Sequence, residues 1–235
     1  MFHIASVRSK MQIEHMKRVL VLGASRGLGA ELVRCLAEHQ VPALGFARQP
    51  GKLGGLAAHH PKFEFRSADF SSQTGQEAVF AALRAEEFSH VIVVAGGGPY
   101  GKFGAKQWKD HQWALEVSFL FPARVVHALL ANGKPSTQII LVGSSVAEAE
   151  ADPMAAAYSA AKHALKGLCA TLKVENPEWD IRLFSPGYMD TDMLPANAAV
   201  RQLGVWNPAL VARELWEWAL SADKSGHKLY PKHPS

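Results

Sequence analysis

The sequence predicts a doubly wound α/β fold of about seven parallel strands with helices on both faces. Three observations carry that expectation. Short continuous apolar runs recur along the chain, among them residues 18–22 and 90–94, of the kind that fills a sheet buried on both faces. Segments with apolar residues at helical spacing follow them. The first run also ends in a glycine-rich loop that leads directly into such a segment.

The bulk properties agree. The chain has 235 residues, 48% hydrophobic and 20% charged, enough for one domain with a large core. The net charge of +4 is mild. It is scattered over Arg8, Lys10, Lys17 and Arg18 near the start and Lys224, Lys228 and Lys232 near the end. No stripe interleaves basic and aromatic residues, so nucleic acid is not an expected partner. No apolar run approaches the roughly 20 residues of a membrane span. Cys35 and Cys169 fall in expected helices and read as small buried residues in a reducing cytosol. Residues 1–16 lack the apolar core of a signal peptide and read as an extension or frayed tail, with Met16 a second possible start. Residues 17–235 read as one domain.

The elements follow in order. Residues 18–22 form the first strand. Gly23-Ala24-Ser25-Arg26-Gly27-Leu28-Gly29 comes next, and Leu28, Leu32, Val33 and Leu36 then recur at helical spacing. Strand, glycine loop and helix make a phosphate-binding turn. Glycine lets the backbone turn tightly and approach a ligand, and the helix N-terminus offers free N–H groups to a pyrophosphate. A plain strand–helix turn needs one glycine and seldom three. Residues 43–46 form a second strand, followed by Ala47 and Arg48. Phe63-Glu64-Phe65-Arg66 alternates like a strand with one buried face, and residues 75–84 read as a helix. After the strand at 90–94, Ala95 and Gly96 open a glycine-rich loop to Gly104. Tyr100 in that loop reads as a substrate border or a surface aromatic. Residues 108–131 read as one long helix despite Pro122. Ile139-Ile140-Leu141-Val142-Gly143-Ser144-Ser145 is an apolar strand running into two hydroxyls. Residues 155–173 are an alanine-rich helix and 180–184 a strand. Asn207 caps a helix that starts at Pro208 and buries Leu210, Leu215, Trp216 and Trp218. Residues 226–230 give a last short strand.

Tyr158 and Lys162 stand one turn apart on one face of the 155–173 helix. A free tyrosine has a pKa of about 10 and is a poor acid–base at neutral pH. A lysine ammonium one turn away favours the phenolate and lowers that pKa, so the pair can pass a proton to or from an alcohol oxygen. Ser145 lies at a strand end, where an open α/β sheet presents its site, and can donate to the same oxygen. The stretch from Glu148 through Glu150 to Asp152 reads as a solvated loop. Read instead as a pocket rim, it suggests a polar or cationic substrate group.

Gly23-x3-Gly27-x-Gly29, the strand end at Ser145, Tyr158-x3-Lys162 and Ser185-Pro186-Gly187 occur together in an order and spacing that resembles the short-chain dehydrogenase/reductase family. The resemblance spans Lys17 to Tyr230. It implies a Rossmann-type fold and hydride transfer between a nicotinamide cofactor and a small carbonyl or alcohol substrate. Tyr158 is then the acid/base, Ser145 polarises the carbonyl, and Lys162 also binds the nicotinamide ribose. The loop residues Gly23, Ser25, Arg26, Gly27, Leu28 and Gly29 hold the cofactor. Arg26 and Arg48, with no acid between Val41 and Pro61, imply NADP(H). Asp69 is implied to bind the adenine amino group and Phe70 to flank the ring. Ala95 and Gly96 permit close backbone approach, and Pro186, Gly187 and Thr191 touch the nicotinamide end. Residues 186–193 also resemble sepiapterin-reductase-like members, although Lys228 and Leu229 stand where those carry a substrate-anchoring acid. Ser118 takes the place of the asparagine that holds a relay water, and Val94 that of another family asparagine. These departures leave a second reading, a nucleotide-binding regulator or scaffold of little activity. A sugar-nucleotide epimerase would need a further C-terminal substrate domain. The family also implies a homodimer or homotetramer built on helices 108–131 and 155–173, with Phe119, Phe121, Ala155 and Ala156 in contact. No metal ligand set is expected.

Overall fold

The computed structural model describes residues 16–49, 55, 60–148, 152–222 and 226–234. The expectations for residues 1–15, Glu150 and Lys224 lie outside the described residues. Seven parallel strands form one sheet: β1 (Arg18–Leu22), β2 (Ala43–Ala47), β3 (Phe63–Ser67), β4 (Phe88–Val93), β5 (Gln138–Val142), β6 (Ile181–Ser185) and β7 (His227–Leu229). Their order is β3-β2-β1-β4-β5-β6-β7. Successive side chains of a strand point to opposite faces, so each strand feeds two cores. Val19, Val21, Ile140, Val142 and Phe184 pack under helices α1 (Gly27–Glu38) and α6 (Pro208–Ala219). Leu20, Leu22, Val91, Val93, Ile139 and Leu141 face the other way. Helices α2 (Gln73–Ala85), α4 (Phe121–Ala131) and α5 (Ala156–Glu175) cover them.

The order reverses between β1 and β4, and at such a point an open sheet leaves a crevice at its carboxyl edge. Two glycines shape it. Gly23 has φ of +99°, and a Cβ there would stand 2.8 Å from the Ala95 nitrogen. At Gly29 a Cβ would lie 2.0 Å from the Gly23 carbonyl oxygen, so only glycine lets α1 start this close to β1.

Trp108–Ala131 is continuous but not uniform. Helix α3 (Trp108–Leu115) passes through a wide π turn at Glu116–Leu120 before α4. Pro122 sits just after that turn, where the hydrogen-bond ladder is already shifted and a missing N–H is tolerated. The whole stretch is long and apolar enough to cross a membrane by length and composition, contrary to the expectation of no such run. Its residues Ala114, Val117, Phe121, Val125, Val126 and Leu129 are buried against the rest of the protein.

Three packing expectations are corrected. Phe121 is fully buried and stacks on Phe70 at 4.3 Å, and Ala155 is buried too, so neither is free for contact between copies. Trp108, Leu115 and Leu120 are the exposed apolar residues of the long helical stretch. Leu210 is exposed, whereas Leu215, Trp216 and Trp218 are in the core. Cys35 and Cys169 are free buried thiols, each pushed by burial up to about 11.

Candidate active site

One cavity of about 170 Å³ occupies the crevice. Gly23, Ser25, Arg26, Gly27 and Leu28 form one wall, and Ala95 and Gly96 another. Arg48, Asp69 and Phe70 line it together with Tyr158, Lys162, Pro186 and Thr191. The fold therefore assembles fourteen of the expected residues from five separate strand ends and α5. Gly29 acts beneath the loop by permitting close packing. Gly187 lies instead on a second, smaller space of about 70 Å³ that shares Tyr158, Pro186, Met189, Thr191 and Met193 with the first. Ser118 and Ser145 line neither.

Around Arg48 the geometry is electrostatic. Its guanidinium lies 5.9 Å from the centre of the Trp113 ring. Arg26, Arg34 and Arg48 border an open cleft beside the cavity, with Arg34 paired to Glu31. Asp69 Oδ1 accepts from the Ser71 N–H at 2.9 Å and the Ser71 hydroxyl at 2.7 Å. Burial works upward on its pKa, but these donors and the Arg48 charge outweigh it and hold the carboxyl below its usual range. The cap of α2 falls to Ser72, which accepts from the Gly75 N–H. Phe70 meets the cavity wall, but its ring lies flat on Phe121, 8° from parallel, as part of the core. It is a wall of the cavity, with one face taken up by Phe121.

At the other end of the cavity, Tyr158 occupies the first turn of α5 and Lys162 the next. The Lys162 Nζ stands 5.5 Å from the Tyr158 ring centre and donates to the Val142 carbonyl at 2.7 Å. Burial pushes Lys162 down to about 7. Burial also pushes Tyr158 up to about 12, against a side-chain hydrogen bond from Ser144 that pulls it back. The expected lowering of the tyrosine by the lysine is thus overridden: taking both groups out of water penalises both charged forms. Tyr158 is thus held as a neutral phenol at neutral pH.

The hydroxyl beside Tyr158 belongs to Ser144, not to the expected Ser145. Ser144 is extended, with φ of −168°, and lines the second cavity. Its oxygen accepts from the Val146 N–H at 3.4 Å. Ser145 continues the β5–β6 ladder, its N–H donating to the Pro186 carbonyl at 2.8 Å. Neighbouring side chains in extended backbone face opposite ways, so only one of the two serines reaches the tyrosine. Ser118 differs from expectation too. It is wholly buried in the π turn, and its only hydroxyl proton goes to the Gly97 carbonyl.

Several wall residues were not anticipated. Trp113 and Val117 line the first cavity one helical turn apart, a spacing that could have placed them ahead of Ser118. Met189, Asp192 and Met193 join them from the segment after β6. The second cavity adds Tyr188; Asp152 and Tyr100 line it too, in keeping with the pocket-rim reading of Asp152 and the border reading of Tyr100. Glu148 is no solvated loop residue. Its side chain is buried and bonds Lys166, Ser185 at 2.9 Å and His227 at 2.9 Å.

A parallel doubly wound sheet with a glycine loop at its switch point and a Tyr–Lys pair at the far end of the cavity defines a Rossmann-type nucleotide-binding protein. The chain belongs to the short-chain dehydrogenase family, whose model matches residues 17–201. The oxidoreductase UcpA of Salmonella typhimurium is 27% identical over 210 residues, covering 85% of this chain and 78% of that protein. A short-chain dehydrogenase from Sphingobium yanoikuyae, solved with NADPH, superposes with a TM-score of 0.83 at 22% identity, covering 93% of this chain and 89% of that one. A 4-hydroxyisoleucine dehydrogenase, solved with NADH, superposes at 0.80 and 19% identity, with 92% and 98% covered.

Proposed function

We propose that this protein reduces a small carbonyl compound with NADPH, or oxidises the matching alcohol with NADP, and that Tyr158 is the acid/base. The observation that carries the reading is the position of Tyr158, on the wall of both cavities and sharing the second with Ser144.

The residues present fit a nicotinamide dinucleotide. The Gly23–Leu28 loop and the α1 N-terminus suit a pyrophosphate, and the glycine at 23 keeps the loop against Ala95. Asp69 suits an adenine amino group. Arg26 and Arg48, exposed at the adjoining cleft, suit a 2′-phosphate, and charge-assisted phosphate contacts are strong. Thr191, Pro186 and Lys162 would hold the nicotinamide end. The cofactor, when bound, supplies or takes the hydride. The chain itself handles the proton. Ser144 orients the substrate oxygen. Tyr158, neutral at working pH, gives that oxygen its proton. Lys162, near 7, stands at the point where its ammonium can give a proton and its amine can take one. The intact Ser144–Tyr158–Lys162 set gives the regulator reading no support.

The test is a titration with NADPH and NADH, followed by NADPH consumption against aldehydes and ketones. Tighter NADPH binding and turnover that vanishes in Tyr158→Phe are the expected results. An NADH preference would overturn the cofactor assignment, and full turnover in the variant would move the chemistry elsewhere.

A further inference from the structure

We propose that the second cavity selects substrates bearing a hydrogen-bond-donating group, a cationic amine above all, which docks on the Asp152 carboxylate. This rests on the oxidoreductase reading above, since the same cavity holds Tyr158.

Asp152 is only 8% exposed, yet it lies on the cavity wall. Its Oδ1 accepts from the Met154 N–H at 2.9 Å and its Oδ2 from the Tyr188 hydroxyl at 2.8 Å. A carboxylate offers about four acceptor sites, so capacity remains on both oxygens. Both donors are neutral. Among the described residues no lysine, arginine or histidine forms an ion pair with Asp152. A buried carboxylate without a cation is costly, and a ligand cation would offset that cost. The other titratable groups on this wall are Tyr100, Tyr158 and Tyr188. Burial raises the pKa of both Tyr100 and Tyr188, helped by the Asp152 charge at Tyr100 and by the hydrogen bond to Asp152 and then its charge at Tyr188, so both stay neutral. Asp152 is therefore the one acidic side chain on this wall. From the C-terminal segment, His233 stacks on the Tyr188 ring at 5.3 Å and Lys232 stands 5.8 Å from its centre, and neither lines the cavity. Apart from the hydroxyls of Ser144 and Thr191, the remaining wall, including Met193 and Leu194, is apolar. At about 70 Å³ the space suits a small molecule. An aminoketone or hydroxyketone fits this chemistry, and a keto acid of the same length meets a like charge.

The test compares an aminoketone, a hydroxyketone and a keto acid of equal chain length, in wild type and Asp152→Asn, by kcat/KM. The corresponding amino alcohol and hydroxy acid are titrated calorimetrically into the NADPH-loaded protein, a measurement that needs no turnover. A hydrogen bond to a charged group is worth about 1.5–3 kcal/mol, so wild type should favour the amine over the acid by about tenfold or more. Asp152→Asn, which keeps an acceptor for Met154, should remove most of that ratio. An unchanged ratio in Asp152→Asn would overturn the proposal. Asp152-dependent binding of the amino alcohol with no turnover of any ketone would support the subsite and overturn the oxidoreductase reading. Turnover with no Asp152-dependent binding would do the reverse. Should Asp152→Asn fail to fold, Tyr188→Phe, which frees Oδ2, must keep the preference for the amine; its loss would equally overturn the subsite.

Discussion

Ser118 holds both backbone groups of Gly97. Its oxygen accepts from the Gly97 N–H at 3.0 Å and donates to the Gly97 carbonyl at 2.9 Å. One wholly buried hydroxyl thus pins the loop after β4, which carries Gly96 and Gly98 past Lys162 and Tyr158. A Cβ on Gly96 would stand 3.1 Å from the Lys162 Nζ, and one on Gly98 2.9 Å from the Tyr158 Cβ.

Ser118→Ala should therefore destabilise the protein. It leaves a buried N–H and carbonyl without their partner, at a cost of about 1–3 kcal/mol, read as a lower midpoint in chemical denaturation. Ser118→Asn should also destabilise, by about 1–3 kcal/mol, because a longer side chain overpacks a full site. A faster, equally stable Ser118→Asn enzyme would show that this position can carry a relay water after all.

The two adjacent serines separate cleanly by rate. Ser144→Ala should lower kcat by roughly a hundredfold or more, as loss of a donor to the reacting oxygen does. Ser145→Ala should stay within a few-fold of wild type. Tyr158→Phe should lower kcat by roughly a hundred- to ten-thousandfold with NADPH binding retained. Steady-state kinetics on one accepted carbonyl ranks all three, and a larger loss in Ser145→Ala than in Ser144→Ala would reverse the assignment.

Lys162 has its own pH signature. Its folded pKa, about 7, lies below the ordinary lysine value of 10.5. Below 7 it is charged in both folded and unfolded chains, so the full cost of burying the charge is present. Between about 7 and 10 only the unfolded chain holds the proton, and that cost falls as pH rises. Lys162→Met, inactive but without the buried charge, should gain most in stability relative to wild type at low pH. The gain should shrink by about 1.4 kcal/mol per pH unit across that window. Denaturation of both proteins at pH 6.5, 8 and 9.5 measures it; a constant difference would mean that Lys162 titrates normally.

Self-association should run through the apolar side of the long helical stretch. Trp108, Leu115 and Leu120 are exposed there. Light scattering should show a dimer or tetramer at micromolar concentration, and Leu120→Lys should shift it toward monomer. A monomeric wild type would rule this out.

Much of the site is legible before folding because its chemistry depends on short local patterns. Gly23, Gly27 and Gly29 mark a turn that few other functions require. Tyr158 and Lys162 share a face through helical periodicity alone. The π turn at Glu116–Leu120 has no such local mark, since no residue type demands it. The adjacent serines both satisfy a strand-end motif, and the register of β5 against β6 separates them. Asp152 and Tyr188 are 36 residues apart, and only their hydrogen bond makes them one feature.

The amino-acid order alone establishes the parallel sheet, the order of its strands along the chain, the nucleotide loop and the Tyr–Lys pair. These rest on periodicity and backbone sterics, which act over a few residues. The tertiary structure decides which serine faces Tyr158, what Ser118 binds, and which way the Tyr158 and Lys162 pKa values move. Those outcomes depend on side-chain direction and on exclusion of water, and both arise only when elements distant in the chain close around a common space.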